Sequence, residues 1–304
     1  MPPIPRNFAA VITHKTYLDM EKKIITLNNG VEMPVIGYGV YQVSPEECER
    51  CVLDAIGVGY RSIDTAQAYY NEEGVGRAWR KSGVPRDELF ITTKIWISHY
   101  AGTEAAASID ESLRKLQTDY IDLLLLHQCF GDTYNAYRAM EDALRAGKVR
   151  AIGVSNFMYD RFVDIAEHMD VKPAMTQNEA HVFCQQKQMR ELAARFGTAM
   201  TAWSPFAEGQ NGLFTNPILT RIGEAHGKTA AQVALRFLVQ LGIVVIPKTT
   251  HRERMEENLD IFDFCLTDGE MAELDKLDQE HGLVVNFDDK DTRIGLQQML
   301  KQFN

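Results

Sequence analysis

Several polar or ionisable side chains stand where apolar, strand-like runs of the sequence end. Asp64 ends such a run in YRSIDTAQAYYNEE, Lys94 in FITTKIW and His127 in IDLLLLHQ. Ser155 and Asn156 end a fourth run, AIGVSNF. Any one of them alone is explained by a helix cap, a surface turn or a satisfied core group. Their coincidence at strand ends instead predicts one shared site.

These residue types suit proton transfer to or from a small molecule. A free tyrosine has a pKa near ~10, and a neighbouring ammonium stabilises its phenolate and lowers that pKa. We therefore expect Lys94 to lower the pKa of a tyrosine, which we identify as Tyr69 in the loop that follows Asp64. Asp64 would pair with Lys94, and His127 would orient a carbonyl oxygen or share in proton delivery.

The elements that must position these groups alternate between strand-like runs and helix-like segments. Ser/Thr-x-x-Glu/Gln boxes beginning at Ser44, Thr229 and Thr267 mark three helix starts. Eight strand-like runs recur at spacings of roughly 25 to 31 residues, with a last interval of about 43. This pattern predicts an α/β protein, a (β/α)8 TIM barrel with the site at its strand ends. A doubly wound sheet is the competitor, but its G-x-G-x-x-G fingerprint is absent.

Other segments are expected around the barrel. We predict an N-terminal extension over 1–22, a β-hairpin over 23–34 that turns at Asn28-Asn29-Gly30, the barrel over 35–280 and a C-terminal tail over 281–304. The long last interval predicts an extra loop or helix after the seventh barrel strand. No linker-like stretch interrupts the repeat, so a single domain over 1–304 is expected.

Composition limits the partners. The 304 residues include 42 acidic and 32 basic side chains, a net charge of −10, which disfavours nonspecific binding to nucleic acid or an acidic membrane surface. Five cysteines do not resemble a secreted disulfide framework, and the first residues lack a signal-peptide core. We therefore expect a cytoplasmic protein. The histidines show no HExxH or paired ligand spacing, so no metal is expected.

The motifs together resemble the aldo-keto reductase family. The similarity is carried, in order, by YRSIDTAQAYYNEEGVG, ITTKIW, IDLLLLH, AIGVSNF, WSPFAEG and IPKTTHRERMEEN. It implies a (β/α)8 barrel that reduces aldehydes and ketones with NAD(P)H, by hydride transfer from the nicotinamide to the carbonyl carbon. It also implies that Asp64, Tyr69, Lys94 and His127 form the family's catalytic tetrad, with Tyr69 as the general acid.

The same resemblance implies contacts to the nicotinamide end of the cofactor. Ser155, Asn156 and Gln177 would hold the carboxamide. Trp203 would stack under the nicotinamide, where many relatives have tyrosine, because an indole face can do the same work. The family binds its cofactor extended along the top of the barrel, so the missing glycine fingerprint is expected.

A basic segment, KTTHRER at 248–254, is expected to bind the phosphate end. Cations at the start of a helix are unfavourable because of the helix dipole, and a bound anion would remove that conflict. A solvated basic turn is the alternative explanation. In the family, positions matching Lys248 and Arg254 meet the 2′-phosphate, so NADPH is expected, with NADH less favoured. The remaining expected cofactor contacts are Ser204, Phe206, Thr249, Glu257 and Asn258.

The substrate pocket departs from the family pattern. Most relatives have Trp-Pro after the tetrad histidine, whereas this chain has Gln128-Cys129-Phe130. Gln128 would therefore give a smaller and more polar wall, and Tyr38 and Trp96 would supply apolar walls.

Two other functions stay open at this point. The same barrel could serve as a cofactor-binding regulatory or redox-sensing subunit with little turnover, or as an unrelated barrel enzyme such as a phosphosugar isomerase or aldolase. The expected partner is a small aldehyde or ketone, and the expected state is a monomer or weak homo-oligomer.

Overall fold

The computed structural model describes residues 17–19, 23–287 and 289–300. The predicted extension therefore lies largely outside the described residues, as do residues 288 and 301–304 of the predicted tail. No helix in the described ranges is both long enough and apolar enough to cross a membrane.

A small antiparallel sheet precedes the barrel. Strands β2 (Ile24–Thr26) and β3 (Glu32–Pro34) form the predicted hairpin, and β1 (Tyr17–Asp19) pairs with β2. The turn is fixed where Gly30 donates its N–H to the carbonyl of Leu27, and the φ of +85° at Gly30 favours glycine. The hairpin was expected, whereas the third strand falls within the predicted N-terminal extension.

Within the described residues, eight parallel strands form the main sheet in sequential order. They are β4 (Tyr38–Gly39), β5 (Ser62–Asp64), β6 (Phe90–Ile95), β7 (Ile121–Leu126), β8 (Val149–Ser155), β9 (Met175–Glu179), β10 (Ala199–Trp203) and β11 (Ile243–Val245). Every residue of β5, β6, β7 and β9 is buried, as expected for a sheet covered on both faces.

The first and last of these strands are joined where the chain enters β4. Ile36 forms a parallel bridge with Val245, and the Gly37 N–H donates to the Val245 carbonyl at 2.8 Å. The predicted (β/α)8 architecture is therefore confirmed. At the β8 and β9 contact, a Cβ on Gly153 would lie 2.2 Å from the Met175 carbonyl oxygen, so this position needs glycine.

Helices connect and cover the strands. They are α1 (Pro45–Val58), α2 (Glu72–Ser82), α3 (Glu104–Leu116), α4 (Thr133–Arg145), α5 (Tyr159–His168), α6 (Lys187–Arg195), α7 (Pro217–His226), α8 (Ala230–Gln240), α9 (Arg252–Leu259), α10 (Asp268–Asp275) and α11 (Lys290–Leu300). The capping boxes at Thr229 and Thr267 are both complete, and Ser44 accepts a hydrogen bond from the Glu47 N–H.

The long interval after β10 holds the predicted extra segment. A 3₁₀ stretch over Ala207–Thr215 precedes α7, and both lie before the barrel helix α8. The stretch contains positive φ angles at Glu208, Gly209, Asn211 and Gly212, so the backbone turns repeatedly instead of continuing as a helix. After α10 the chain returns across the barrel and ends in α11.

A buried carboxylate holds together the amino-terminal ends of three barrel strands. Asp122 on β7 is fully buried and accepts hydrogen bonds from Arg86 at 2.7 Å, Arg150 at 2.7 Å and the Ile91 N–H at 2.9 Å. Arg86 lies just before β6 and Arg150 lies on β8. Residues at this end of a barrel serve stability, whereas the opposite end carries the site.

We predict that Asp122→Asn will strongly destabilise the fold. The change leaves two guanidinium groups without their shared anion, and breaking a buried ion pair costs about 3 to 5 kcal/mol. Urea unfolding measures the loss. Asp110→Asn is the matched control, because Asp110 pairs with Lys148 on the exposed surface. Equal midpoints for the two variants would contradict the prediction.

Candidate active site

The predicted tetrad residues meet at the carboxyl ends of neighbouring strands. Lys94 on β6 is fully buried, and its Nζ donates to Asp64 Oδ1 at 2.5 Å and to the Thr65 carbonyl at 2.8 Å. The same Nζ lies 3.5 Å from the Tyr69 hydroxyl. Tyr69 ends a short 3₁₀ turn, Gln67–Tyr69, that follows β5. A buried ammonium thus joins the carboxylate to the phenol.

His127 completes this cluster at the end of β7. Its ring packs edge-on against Tyr69, at 5.5 Å between centroids, and against Trp96, at 5.1 Å. Its Nδ1 is buried without a hydrogen-bond partner among the described residues. Burial and the neighbouring Lys94 charge place the pKa of His127 well below 6.5. The imidazole is therefore neutral at physiological pH.

The pKa of Tyr69 moves in the direction opposite to our expectation. Burial, followed by the negative charge of Asp64 and the neighbouring Tyr41 phenol, raises the pKa of Tyr69 well above 10. The Asp64 carboxylate bonded to Lys94 offsets the stabilisation that the ammonium gives to the phenolate. Burial also lowers the pKa of Lys94, although Asp64 opposes that effect. The phenol is thus protonated at neutral pH.

Three of the residues expected to contact the carboxamide or the nicotinamide ring are linked to the tetrad by hydrogen bonds. Gln177 Nε2 donates to Asp64 Oδ2 at 2.8 Å. Asn156 Nδ2 donates to the His127 carbonyl at 3.1 Å, and its Oδ1 accepts from Trp203 Nε1 at 2.9 Å. Ser155 is buried beside them, since β8 pairs Ser155 with Gln177. The structure therefore brings these predicted residues together with the tetrad.

The segment after β10 adds two expected residues at the same end of the barrel. Ser204 follows Trp203 directly, and its Oγ lies 3.5 Å from Glu208 Oε1. Phe206 packs against Phe214 with 5.5 Å between ring centroids. Phe214 is half exposed, so this pair presents an aromatic surface to solvent.

The basic segment after β11 has two cations available for an anion. Lys248 and Arg254 are exposed, and neither forms an ion pair with any residue that the structure describes. Arg252 differs, because it pairs with Asp54 and Glu256. These two unpaired cations, Lys248 before α9 and Arg254 in its first turn, fit the chemistry of a phosphate group.

The other expected cofactor contacts of this region are buried or half-buried. Thr249 is buried, and its Oγ1 accepts from the His251 N–H at 3.2 Å. Asn258 is also buried, whereas Glu257 is half-buried and accepts a hydrogen bond from Thr229 at 2.6 Å. The Glu257 carboxylate therefore already has a hydrogen-bond partner within the protein.

The three expected pocket residues differ in position. Trp96 is half-buried and touches the His127 ring. Gln128 follows His127, and its Oε1 is buried without a partner among the described residues. Tyr38 does not form a wall of the open site, because it is fully buried and its hydroxyl donates to the Thr249 carbonyl at 2.6 Å.

Two residues near the tetrad were missed by the sequence reasoning. Tyr41, which is 52% exposed, stacks at a tilt on Tyr69 with 5.1 Å between centroids. Gln67 Oε1 accepts from the Trp96 N–H at 2.9 Å and faces His99 Nδ1 at 3.0 Å. Gln67 therefore fixes the start of the loop that carries Trp96. In the sequence, its polar side chain between Asp64 and Tyr69 was the signal that could have indicated this role.

A third missed residue, Glu179, holds the returning chain against the barrel. At the end of β9, its carboxylate accepts hydrogen bonds from the N–H groups of Leu283, Val284 and Val285 at 2.6, 2.8 and 2.9 Å. It also faces His181 Nε2 at 3.0 Å. Glycine is needed at position 282, because a Cβ there would lie 2.3 Å from the Val285 carbonyl oxygen.

We predict that Glu179→Gln will loosen the segment over 283–285. Burial raises the pKa of Glu179, but hydrogen bonds from His181 and the chain hold it below 4.5 overall. The ionised contact is therefore complete at neutral pH and lost only as the pH falls through that lowered value. Hydrogen–deuterium exchange at neutral pH should show faster exchange over 283–285 in the variant. Glu280→Gln, at an exposed neighbour, should leave it unchanged, and equal protection in both variants would refute the prediction.

Comparisons with known proteins agree with this geometry. Residues 35–279 match the model of the Aldo/keto reductase family. Morphine 6-dehydrogenase of Pseudomonas putida is 43% identical over 84% of this chain and 91% of its own length, and glyoxal reductase of Bacillus subtilis is 43% identical over 88% and 97%. A Bombyx mori aldo-keto reductase solved in complex with NADP has a TM-score of 0.81 at 33% identity, covering 86% of this chain and 94% of that one. This chain belongs to the aldo/keto reductase family.

Proposed function

We propose that this chain reduces aldehydes or ketones to alcohols with NADPH, and that Tyr69 is the general acid. The family and its reductase-named members support carbonyl reduction by an oxidoreductase with a nicotinamide cofactor. The observation that carries the assignment of Tyr69 is the buried ammonium of Lys94, which bonds Asp64 and lies 3.5 Å from the Tyr69 hydroxyl.

Each tetrad residue has a distinct task in this proposal. The bound nicotinamide supplies a hydride to the carbonyl carbon. Tyr69 donates its proton to the carbonyl oxygen, and because the pKa of its phenol lies above 10 this proton is present at neutral pH. Lys94 stabilises the phenolate that remains, and Asp64 holds Lys94 in place. The neutral ring of His127 carries one N–H, which orients the carbonyl oxygen.

The cofactor is held in two regions in this proposal. Ser155, Asn156 and Gln177 receive the carboxamide. Because Gln177 Nε2 bonds Asp64, the side chain contacts the cofactor through its amide oxygen. Trp203 stacks on the nicotinamide, with its indole oriented by Asn156. Further contacts come from Ser204, Phe206, Thr249, Glu257 and Asn258.

The preference for NADPH rests on Lys248 and Arg254. A 2′-phosphate is the group that distinguishes NADPH from NADH, and these two exposed cations have no carboxylate partner among the described residues. A phosphate there would accept charge-assisted hydrogen bonds from both. The substrate itself lies beside Trp96 and Gln128, which flank the His127 ring.

We predict that Tyr69→Phe will lower kcat for carbonyl reduction by about 100-fold or more, because general acid catalysis contributes about that much. The absorbance of NADPH, followed with a panel of aldehydes, measures turnover. NADPH binding, followed by protein fluorescence, should be unchanged. Tyr41→Phe is the matched control, since its ring stacks on Tyr69 but its hydroxyl has no assigned role. Unchanged turnover in Tyr69→Phe would overturn the assignment.

We also predict that the double variant Lys248→Ala, Arg254→Ala will lose about tenfold or more in NADPH affinity, because each charge-assisted hydrogen bond contributes about 1.5 to 3 kcal/mol. The affinity for NADH should change little. Titration of both cofactors measures the ratio. Arg252→Ala serves as the control, because its guanidinium already pairs with Asp54 and Glu256. An equal loss for both cofactors would show that the two residues do not contact the 2′-phosphate.

A further inference from the structure

A cavity lies between the barrel rim, at the residues that follow β7, and the tail helix α11. Its volume is about 350 Å³, which suits a small ligand. The residues after β7, Cys129 and Phe130, form one side, and Phe287 and Ile294 of the tail form another. Asn156 also lines it and donates to the His127 carbonyl. The cavity therefore borders the segment that directly follows His127.

Two arginines line this cavity from separate elements. Arg161 on α5 donates from Nε and Nη2 to the Cys129 carbonyl at 3.1 and 2.7 Å. Arg293 on α11 donates from Nε to the Phe287 carbonyl. These backbone contacts fix each guanidinium at one corner. Arg161 Nη1 and both terminal nitrogens of Arg293 have no hydrogen-bond acceptor among the described residues.

The charge of the lining is positive in a protein that is acidic as a whole. Asp160 is the single carboxylate among the cavity's described lining residues, and it forms no ion pair with a described residue. The remaining side chains of the lining are neutral. Two guanidinium groups against one carboxylate therefore leave a net positive charge at this cavity.

We propose that this cavity binds a carboxylate on the substrate, so that the favoured substrates are small aldehydes or ketones with a carboxylate at the end away from the carbonyl. This inference rests on the proposed function. A guanidinium presents paired N–H groups whose geometry matches a carboxylate. With the anion held by Arg161 and Arg293, the carbonyl is directed towards His127 and Tyr69. The carboxylate itself undergoes no bond change.

Glu179 contributes to this site through the chain that it holds. Its three backbone contacts fix residues 283–285, and Phe287 follows two residues later in the chain. Glu179 is thus a positioning residue for the tail half of the cavity. Arg161, by contrast, belongs to the barrel.

The test compares two substrates that differ by one negative charge and one methyl group, succinic semialdehyde and its methyl ester. With NADPH present, the full-length protein should reduce the acid with a kcat/KM about tenfold or more above that of the ester, because of the charge-assisted hydrogen bonds. Arg293→Met should remove that preference by raising KM for the acid, with the ester unchanged. Arg195→Met removes an exposed arginine that lines neither the cavity nor the tetrad, and it should behave as the parent.

A binding measurement separates this inference from the proposed function. Calorimetry with butanoate and butanamide should show tighter binding of the anion by the parent, and this difference should disappear in Arg293→Met. If no carbonyl is reduced but butanoate still binds in this way, the proposed function fails and the anion site stands. Equal kcat/KM for acid and ester, together with equal binding of anion and amide, would overturn the anion site and leave the reductase intact.

Discussion

The buried ion pair between Lys94 and Asp64 is the interaction on which the site depends. Transferring an ammonium and a carboxylate from water into a protein interior is costly, and only close contact with further hydrogen bonds compensates. Here the Thr65 carbonyl accepts a further hydrogen bond from the ammonium, and Gln177 donates a further hydrogen bond to the carboxylate. Gln177 reaches Asp64 from β9, across the barrel from β5. Closure of the barrel therefore supplies the hydrogen bond from Gln177 that the buried charged pair needs.

The same burial also sets the protonation states of His127 and Tyr69 beside the pair. Burial disfavours charge on His127 and on Tyr69, so both are neutral at physiological pH beside the ion pair of Lys94 and Asp64. Electrostatic interactions are stronger in such surroundings than in water. Loss of a proton from Tyr69 would place a new negative charge 3.5 Å from the Lys94 ammonium. The arrangement thus favours a charge that develops during a reaction over one that is present beforehand.

The sequence predicted the features that depend on chain spacing, and missed those that depend on distant contacts. The recurring strand-like runs were enough to predict eight βα units and to bring Asp64, Lys94, His127 and Asn156 to one end of the barrel. The direction of the Tyr69 pKa was wrong, because it depends on burial and on the partner that Lys94 already has. Tyr38 was misjudged as a pocket wall, since β4 directs its side chain into the core towards Thr249. Glu179 could not be recognised, because its partners lie about a hundred residues further along the chain.

Most cations on the surface could pair with a carboxylate, and cations that lack one mark the two proposed anion sites. Acidic side chains outnumber basic ones by ten, so most cations could find a carboxylate, as Arg252 does with Asp54 and Glu256. Lys248 and Arg254 follow the eighth barrel strand, and Arg161 follows the fifth. Two strands separate these positions on the rim, and the tetrad faces the same rim. Under the two proposals, an elongated cofactor and a charged substrate would be held from different sectors of the rim, with their reacting ends meeting at Tyr69.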